Sequence, residues 1–359
     1  MSNDTILRFA LIGCGRVSGK HIDAIDRLEG AVLVAICDLD KQIRLEKGEE
    51  LKIPTYDDYH EMLKKEKIDV VNVLTESGSH AEIVVNIAKY KKHIVVEKPM
   101  ALTLTDADAM IHECDNNNVK LFVVKQNRYN LPIQKLREAI EQKRFGKLVM
   151  GTVRVRWCRD QNYYDQAPWR GTWAHDGGVF SNQASHHVDL LEWMMGDVES
   201  VFARTETMLV DIETEDTGVA VLKFQNGALG VIEATTATRP TDLEGSITIM
   251  GEKGTVEIGG FAVNEMKVWN FCKKIEGDDE VLEKYRENPE SVYGFGHYEY
   301  LRHVIECIKH RERALVDGLE GRRSLELINA IYESSETGKD VNLRFKPKRC
   351  RLGEKTLKI

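Results

Sequence analysis

"LRFALIGCGRVSGKHIDAIDRL", residues 7–28, passes from an unbroken apolar run through two closely spaced glycines into residues of helical period. Leu7 to Ile12 has the composition of a strand covered on both faces. Beyond the glycines, Ile22, Ile25 and Leu28 recur at three-residue intervals and share one face of a helix. Strand, glycine turn and helix in this order make a βα unit whose turn can cradle a pyrophosphate. Gly13 serves the backbone geometry of the turn, and Gly15 lets the backbone approach a phosphate. Ser18 takes the third glycine position and is small enough for helix–strand packing.

The same rhythm continues through the first third of the chain. "AVLVAICDLD", "IDVVNVLTES", "HIVVEKPMAL" and "KLFVVKQNRY" read as further strands. "GSHAEIVVNIAKYKK" and "TLTDADAMIHECDNNN" read as the helices between later pairs of them. Short apolar strands alternating with helices predict an α/β fold with a doubly wound, parallel Rossmann sheet. Asp38 closes the second strand, where a carboxylate can bind the hydroxyls of an adenosine ribose. No arginine follows it immediately to neutralise a ribose phosphate, so NAD is expected rather than NADP.

After Tyr129 the pattern changes. "KLVMGTVRVRW" alternates, "TGVAVLKFQNGALGVIEATTA" is a hairpin turning at Asn226-Gly227, and "SITIMGEKGTVEIGG" is another. Helices are expected at "LPIQKLREAIEQKRFG", "NQASHHVDLLEWMMG" and "YGFGHYEYLRHVIECIKH". The second domain is therefore expected to be α+β with an open, largely antiparallel sheet. The expected division is 1–126 for the nucleotide domain and 127–359 for substrate binding and oligomerisation.

Composition excludes several classes of function. With 42% hydrophobic and 30% charged residues the chain is an ordinary globular protein. A net charge of −8 argues against a duplex nucleic acid partner. Seven cysteines without a CxxC pair fit reduced thiols of a cytoplasmic protein better than disulfides or a zinc knuckle. The first apolar stretch runs straight into glycines, so no leader peptide is expected, and no segment has the length of a membrane span.

Chemistry concentrates in two places. Lys98 ends an apolar strand, where ligands of open α/β sheets bind, and can hydrogen-bond a substrate hydroxyl. Residues 157–196 gather Tyr163, Tyr164, Trp169 and Trp173 with Arg159, Arg170 and three histidines, the makings of a polar ligand cleft. Helical spacing lets Asn182, His186 and Asp189 share a face, with His187 turned about a quarter-turn away. His186 is a candidate proton acceptor. Neighbouring histidines on a helix cannot easily aim at one ion, so no metal is expected from His175, His186 and His187. Arg154, Arg156, Arg159 and Arg170, with Asn127-Arg128-Tyr129 at the junction, offer cations for an acidic substrate.

On "GCGRVSGKH", "EKPMALT" and "DGGVFSNQASHHVDL" the chain resembles the Gfo/Idh/MocA oxidoreductases over nearly its whole length. The family helix usually reads Gly-Gly-x-x-x-Asp-x-Gly-x-His-x-x-Asp. Gly177, Gly178, His186 and Asp189 match it, while Asn182 replaces the acid and Ala184 the glycine. The resemblance implies Lys98 and His186 as the catalytic pair, without assigning which is the base. It implies a cofactor site of Gly13, Gly15, Arg16, Val17 and Asp38, continued by Thr75, His80, Glu97 and Lys98. It places substrate against Lys98, Arg128, Arg159 and Arg170, with Tyr163, Tyr164, Trp169, Asn182 and His186.

Within that family, residues 163–191 look most like the UDP-N-acetylglucosaminuronate 3-dehydrogenases. That likeness implies NAD-dependent oxidation of a nucleotide sugar on the way to the diacetamido-uronic acids of surface glycans such as the lipopolysaccharide O-antigen. It further implies 2-oxoglutarate as a partner that regenerates NAD, and a homo-oligomer, dimer or tetramer. Another sugar or inositol dehydrogenase, an NAD-dependent glycosidase and a non-catalytic NAD sensor are the competing readings. The presence of both Lys98 and His186 argues against the sensor.

Overall fold

Apolar runs without a polar face require cover on both sides, and a parallel sheet between helices provides it. The computed structural model describes residues 6–286 and 296–343. Its first sheet contains β1 (Leu7–Ile12), β2 (Ala31–Cys37), β3 (Thr55–Tyr56), β4 (Val70–Val73), β5 (His93–Val96) and β6 (Leu121–Val123). The strand order is β3-β2-β1-β4-β5-β6, and the described pairs run parallel. The chain winds outward from β1 to β3 and then crosses to the other side of β1. The switch point therefore lies between β1 and β4, with Gly13 leaving one strand and Thr75 following the other.

The second sheet contains β7 (Leu148–Arg156), β8 (Val198–Glu206), β9 (Thr217–Phe224), β10 (Leu229–Thr235), β11 (Glu244–Gly251), β12 (Gly254–Gly259), β13 (Glu265–Phe271) and β14 (Val341–Asn342). Its order is β13-β12-β11-β7-β10-β9-β8-β14. Antiparallel pairing dominates, with β7 and β10 as a parallel pair at the centre. The β9–β10 turn is where it was expected, with Gly227 at φ +86°. Along β9 buried and exposed residues alternate. The inward face packs on helices Ser185–Met195 and Gly318–Thr337. The outward face presents Val219, Val221 and Leu229.

Two helices of the last quarter return to the first sheet. In Gly296–Lys309, Tyr300, Leu301, Val304 and Ile305 pack against Phe9, Leu11 and Phe122. The expected start of this helix at residues 293–295 lies outside the described residues. Gly318–Thr337, the longest described helix, is not among the elements expected from the sequence. Its first turns bury Gly318, Gly321 and Ser324 rather than large apolar side chains, which hides the period. A Cβ on Gly321 would lie 2.6 Å from Val123.

One buried ionic cluster joins the three segments at the junction. Arg128 donates to both oxygens of Asp189, at 2.7 and 2.8 Å, and to Glu320 at 3.0 Å. Lys125 lies 3.8 Å from Asp189 and donates to Ser324. Burial pushes the Asp189 carboxyl up, but Arg128 and Lys125 outweigh it and hold it below the ordinary range. Arg128, expected to bind substrate, is thereby committed to the scaffold. Removing one partner of such a buried cluster strands the others. Asp189→Ala is expected to cost about 3–5 kcal/mol of stability, read by urea denaturation; a loss below about 1 kcal/mol would show the cluster to be energetically idle.

Candidate active site

A cavity of about 420 Å³ opens at the carboxyl ends of β1, β4 and β5. Gly13, Gly15, Arg16, Val17, Asp38, Thr75, Glu97 and Lys98 line it from the first domain. Tyr163, Trp169, Arg170, Asp176 and Asn182 close it from the second. Gly13 has φ +91°, and a Cβ there would lie 2.8 Å from the Leu74 carbonyl carbon, so only glycine fits. At Gly15 a Cβ would meet nothing within 4 Å. That open space is what close approach of a phosphate to the backbone requires. Ser18 is buried and donates to the Gly15 carbonyl at 2.7 Å, fastening the turn to the Ser18–Arg27 helix. Asp38 accepts from the Cys14 and Asp40 amides at 2.6 and 2.8 Å, which fixes its carboxylate at the cavity edge. Glycine turn, open backbone and anchored carboxylate together fit a dinucleotide.

The lysine at the end of β5 finds its partners in the second domain. Lys98 Nζ donates to the backbone oxygen of Asn182 at 3.0 Å and to its Oδ1 at 3.3 Å. Burial draws the Lys98 pKa down, and the Glu97 and Asp176 carboxylates oppose that shift. Behind it, Glu97 accepts from the Lys98 amide and lies 2.9 Å from His21 Nε2 and 3.7 Å from His297 Nε2. Burial raises the Glu97 carboxyl, but the two histidines hold it well below the usual carboxylate range. Among the described residues, His21, Glu97 and His297 bring potential metal-ligand atoms within 4.8 Å of one another. The His21–Glu97 hydrogen bond accounts for that closeness without an ion.

His186 is 6% exposed, and neither ring nitrogen has a hydrogen-bond partner among the described residues. Burial drives its pKa well below the ordinary value, and the nearby charges of Lys98 and Lys125 push the same way. The imidazole is therefore neutral near pH 7, and it is not among the residues that line the cavity. His187 faces elsewhere. It packs edge-on to Trp157 at 5.8 Å and against Gly245, and burial lowers its pKa to about 3. His175 lies exposed on the loop.

Other expected residues are placed away from the cavity. Both His80 ring nitrogens face backbone oxygens, of Pro99 at 2.9 Å and Thr75 at 3.0 Å, so His80 braces the wall instead of facing a cofactor. Tyr164 is buried with its hydroxyl 3.2 Å from Thr236. Arg159 pairs with Asp242 at 2.8 Å, and Arg154 and Arg156 pair with Glu244 and Glu233 across the sheet. Arg170 differs from all of these. Its guanidinium lies over Tyr163 and Trp169, 4.2 and 4.8 Å from the ring centroids, and its buried Nε has no partner among the described residues. Asp176, Gln126 and His297 line the cavity without having been singled out from the sequence. Asp176 directly precedes Gly177-Gly178, and that adjacency was the available signal.

A family model for the NAD-binding Rossmann fold of the Gfo/Idh/MocA oxidoreductases matches residues 7–125, and one for that family's C-terminal alpha/beta domain matches residues 137–343. The chain belongs to the Gfo/Idh/MocA family. As a member of it, the protein is an oxidoreductase whose cofactor is NAD. The WlbA dehydrogenase of Bordetella pertussis, solved with NADH and UDP-GlcNAcA, is 43% identical, with a TM-score of 0.90 covering 96% of this chain and 100% of that one. The WlbA dehydrogenase of Chromobacterium violaceum, solved with the same two ligands, is 41% identical, again with a TM-score of 0.90, covering 96% and 98%. The myo-inositol 2-dehydrogenase of Thermotoga maritima is 31% identical over 351 residues, covering 94% of this chain and 98% of that protein.

Proposed function

We propose that this Gfo/Idh/MocA oxidoreductase oxidises the 3-hydroxyl of UDP-N-acetylglucosaminuronate to the ketone, with NAD as hydride acceptor. The observation that carries the reading is Arg170, an arginine on the cavity wall whose guanidinium lies over Tyr163 and Trp169 with its Nε still unspent among the described residues. A planar guanidinium in that state suits bidentate recognition of a carboxylate. Two relatives above 40% identity were solved with UDP-GlcNAcA, which supports the same substrate class.

In this reading Lys98 and His186 divide the work. The Lys98 ammonium has three donors, and Asn182 takes two. The third is free for the substrate hydroxyl, where positive charge stabilises the developing alkoxide. His186, neutral by burial, accepts the hydroxyl proton. NAD supplies the hydride acceptor. Tyr163 and Trp169 give the sugar an apolar wall, and Asp38 holds the adenosine ribose, disfavouring a ribose phosphate by charge.

Further parts of the reading rest on the same features. A dicarboxylate such as 2-oxoglutarate presents the groups Arg170 would bind, so the same site could take it to regenerate NAD. Six free thiols among the described residues fit the cytoplasm, and surface-glycan precursors are the product class. Val219, Val221 and Leu229 on the outward sheet face fit a homo-oligomer contact, whose stoichiometry light scattering would read. The first 126 residues bind the cofactor and the remainder supplies the substrate wall.

Lys98→Ala and His186→Ala are each expected to reduce turnover by about 10²–10⁴-fold while NAD binding, followed by tryptophan fluorescence, stays intact. A mild His186→Ala beside a crippling His187→Ala would reverse the assignment. Arg170→Met is expected to remove a preference for UDP-N-acetylglucosaminuronate over UDP-N-acetylglucosamine of about one to two decades in kcat/KM. Equal use of the two sugars by the unaltered enzyme would sink the uronate reading.

A further inference from the structure

Asn182 stands where the family motif has an acid, yet a carboxylate reaches the same place by another route. Asp176 is 1% exposed and still contributes to the cavity wall. Its Oδ1 accepts from Asn182 Nδ2, and its Oδ2 accepts from the Gly171 amide at 2.9 Å. Because Nδ2 of Asn182 is turned to Asp176, Oδ1 of the same amide must face Lys98. Gly171 follows Arg170 directly, so one carboxylate ties the segment carrying the cavity arginine to the segment carrying the lysine's acceptor. Burial raises the Asp176 carboxyl, while its bonds to Gly171 and Asn182 and the charges of Lys98 and Arg170 oppose that shift.

Resting on the reading of Lys98 as the charged donor, the geometry points to Asp176 as a positioning residue that orients Asn182 toward Lys98 and supplies the negative charge absent at position 182. The arrangement works at one remove. The lysine meets a neutral amide, and the charge sits behind that amide, able to steady the ammonium without a direct ion pair.

Asp176→Asn tests this, because an amide at 176 has one acceptor for two donors, Gly171 N and Asn182 Nδ2. The expected result is a fall in kcat of about 10–100-fold with NAD binding unchanged. The alkaline limb of the kcat–pH profile should move down by about one unit. The sign follows from charge: an ammonium deprived of a nearby anion releases its proton at lower pH, so activity is lost earlier as pH rises. The exchange Asp176→Asn/Asn182→Asp keeps both hydrogen bonds, with the new amide donating to the new carboxylate and accepting from Gly171, and sets the anion against Lys98. It should recover most of the lost kcat and return the alkaline limb to the original pH or above.

An unmoved limb in Asp176→Asn, or a folded exchange variant that recovers nothing, would reduce Asp176 to a loop fastener and overturn the inference. If Asp176→Asn does not fold, the exchange variant decides alone by the same recovery. Lys98→Ala, run in parallel, separates the two levels of the argument. Turnover surviving in Lys98→Ala defeats the reading of the lysine itself. An inactive Lys98→Ala beside an unmoved Asp176→Asn limb defeats only the role of Asp176.

Discussion

An ammonium group drawn out of water at the end of a parallel strand must be given oxygen acceptors, and the site of this protein is arranged around that requirement. The first domain delivers Lys98, and the neighbouring Glu97 is occupied by His21, His297 and the Lys98 amide. The acceptors come from Asn182 in the second domain. The Lys98–Asn182 contact therefore exists only when the two domains are docked, and docking is secured nearby by Lys125, which donates to Ser324 and lies 3.8 Å from Asp189. Structure and chemistry share one junction here. A strand that ended in a neutral residue would need none of this apparatus.

Electrostatics then sorts Lys98 and the buried His186 by what surrounds them. At Lys98 burial lowers the pKa, and Glu97 and Asp176 oppose that shift without cancelling it. His186 loses its charge because burial and the neighbouring lysines act together. A buried cationic donor and a neutral imidazole thus differ in charge because their surroundings differ. Glu215 belongs to the same neighbourhood. Burial raises it to about 7, and it holds the Gly178–Ser181 backbone through Phe180 and Tyr332, so the loop carrying Asn182 is anchored from below as well.

The parts of this site that were legible in the sequence are those encoded within a few residues. The glycine turn, Asp38 and the strand-ending Lys98 follow from local pattern, because the doubly wound fold places the ends of its strands at one edge. The arginines were not separable in that way. Arg154, Arg156, Arg159 and Arg170 look alike in a sequence, and what distinguishes them is whether a carboxylate 77 or 83 residues away arrives to neutralise them, as Glu233 does for Arg156 and Asp242 for Arg159. Arg128 is alike in this respect, its partner Asp189 being 61 residues on. The Gly318–Thr337 helix escaped because its buried face begins with small residues, whose packing value depends on how closely β6 approaches. Asp176 went unnoticed because its importance lies in an amide it orients.

The return of the Gly296–Lys309 and Gly318–Thr337 helices to the first sheet has a consequence for how such an enzyme can be made and altered. Phe9, Leu11 and Phe122 are synthesised early, but the side chains that cover them, Tyr300, Leu301 and Val304, emerge near the end. A nascent nucleotide domain thus keeps an apolar flank bare until most of the chain has left the ribosome. The same threading restricts recombination. A crossover placed between the two sheets would graft a foreign cofactor unit onto helices shaped for another surface, with Gly321 lying 2.6 Å, by its absent side chain, from Val123. Exchange of the first sheet with its covering surface intact therefore requires a second crossover that carries the Gly296–Lys309 and Gly318–Thr337 helices with it.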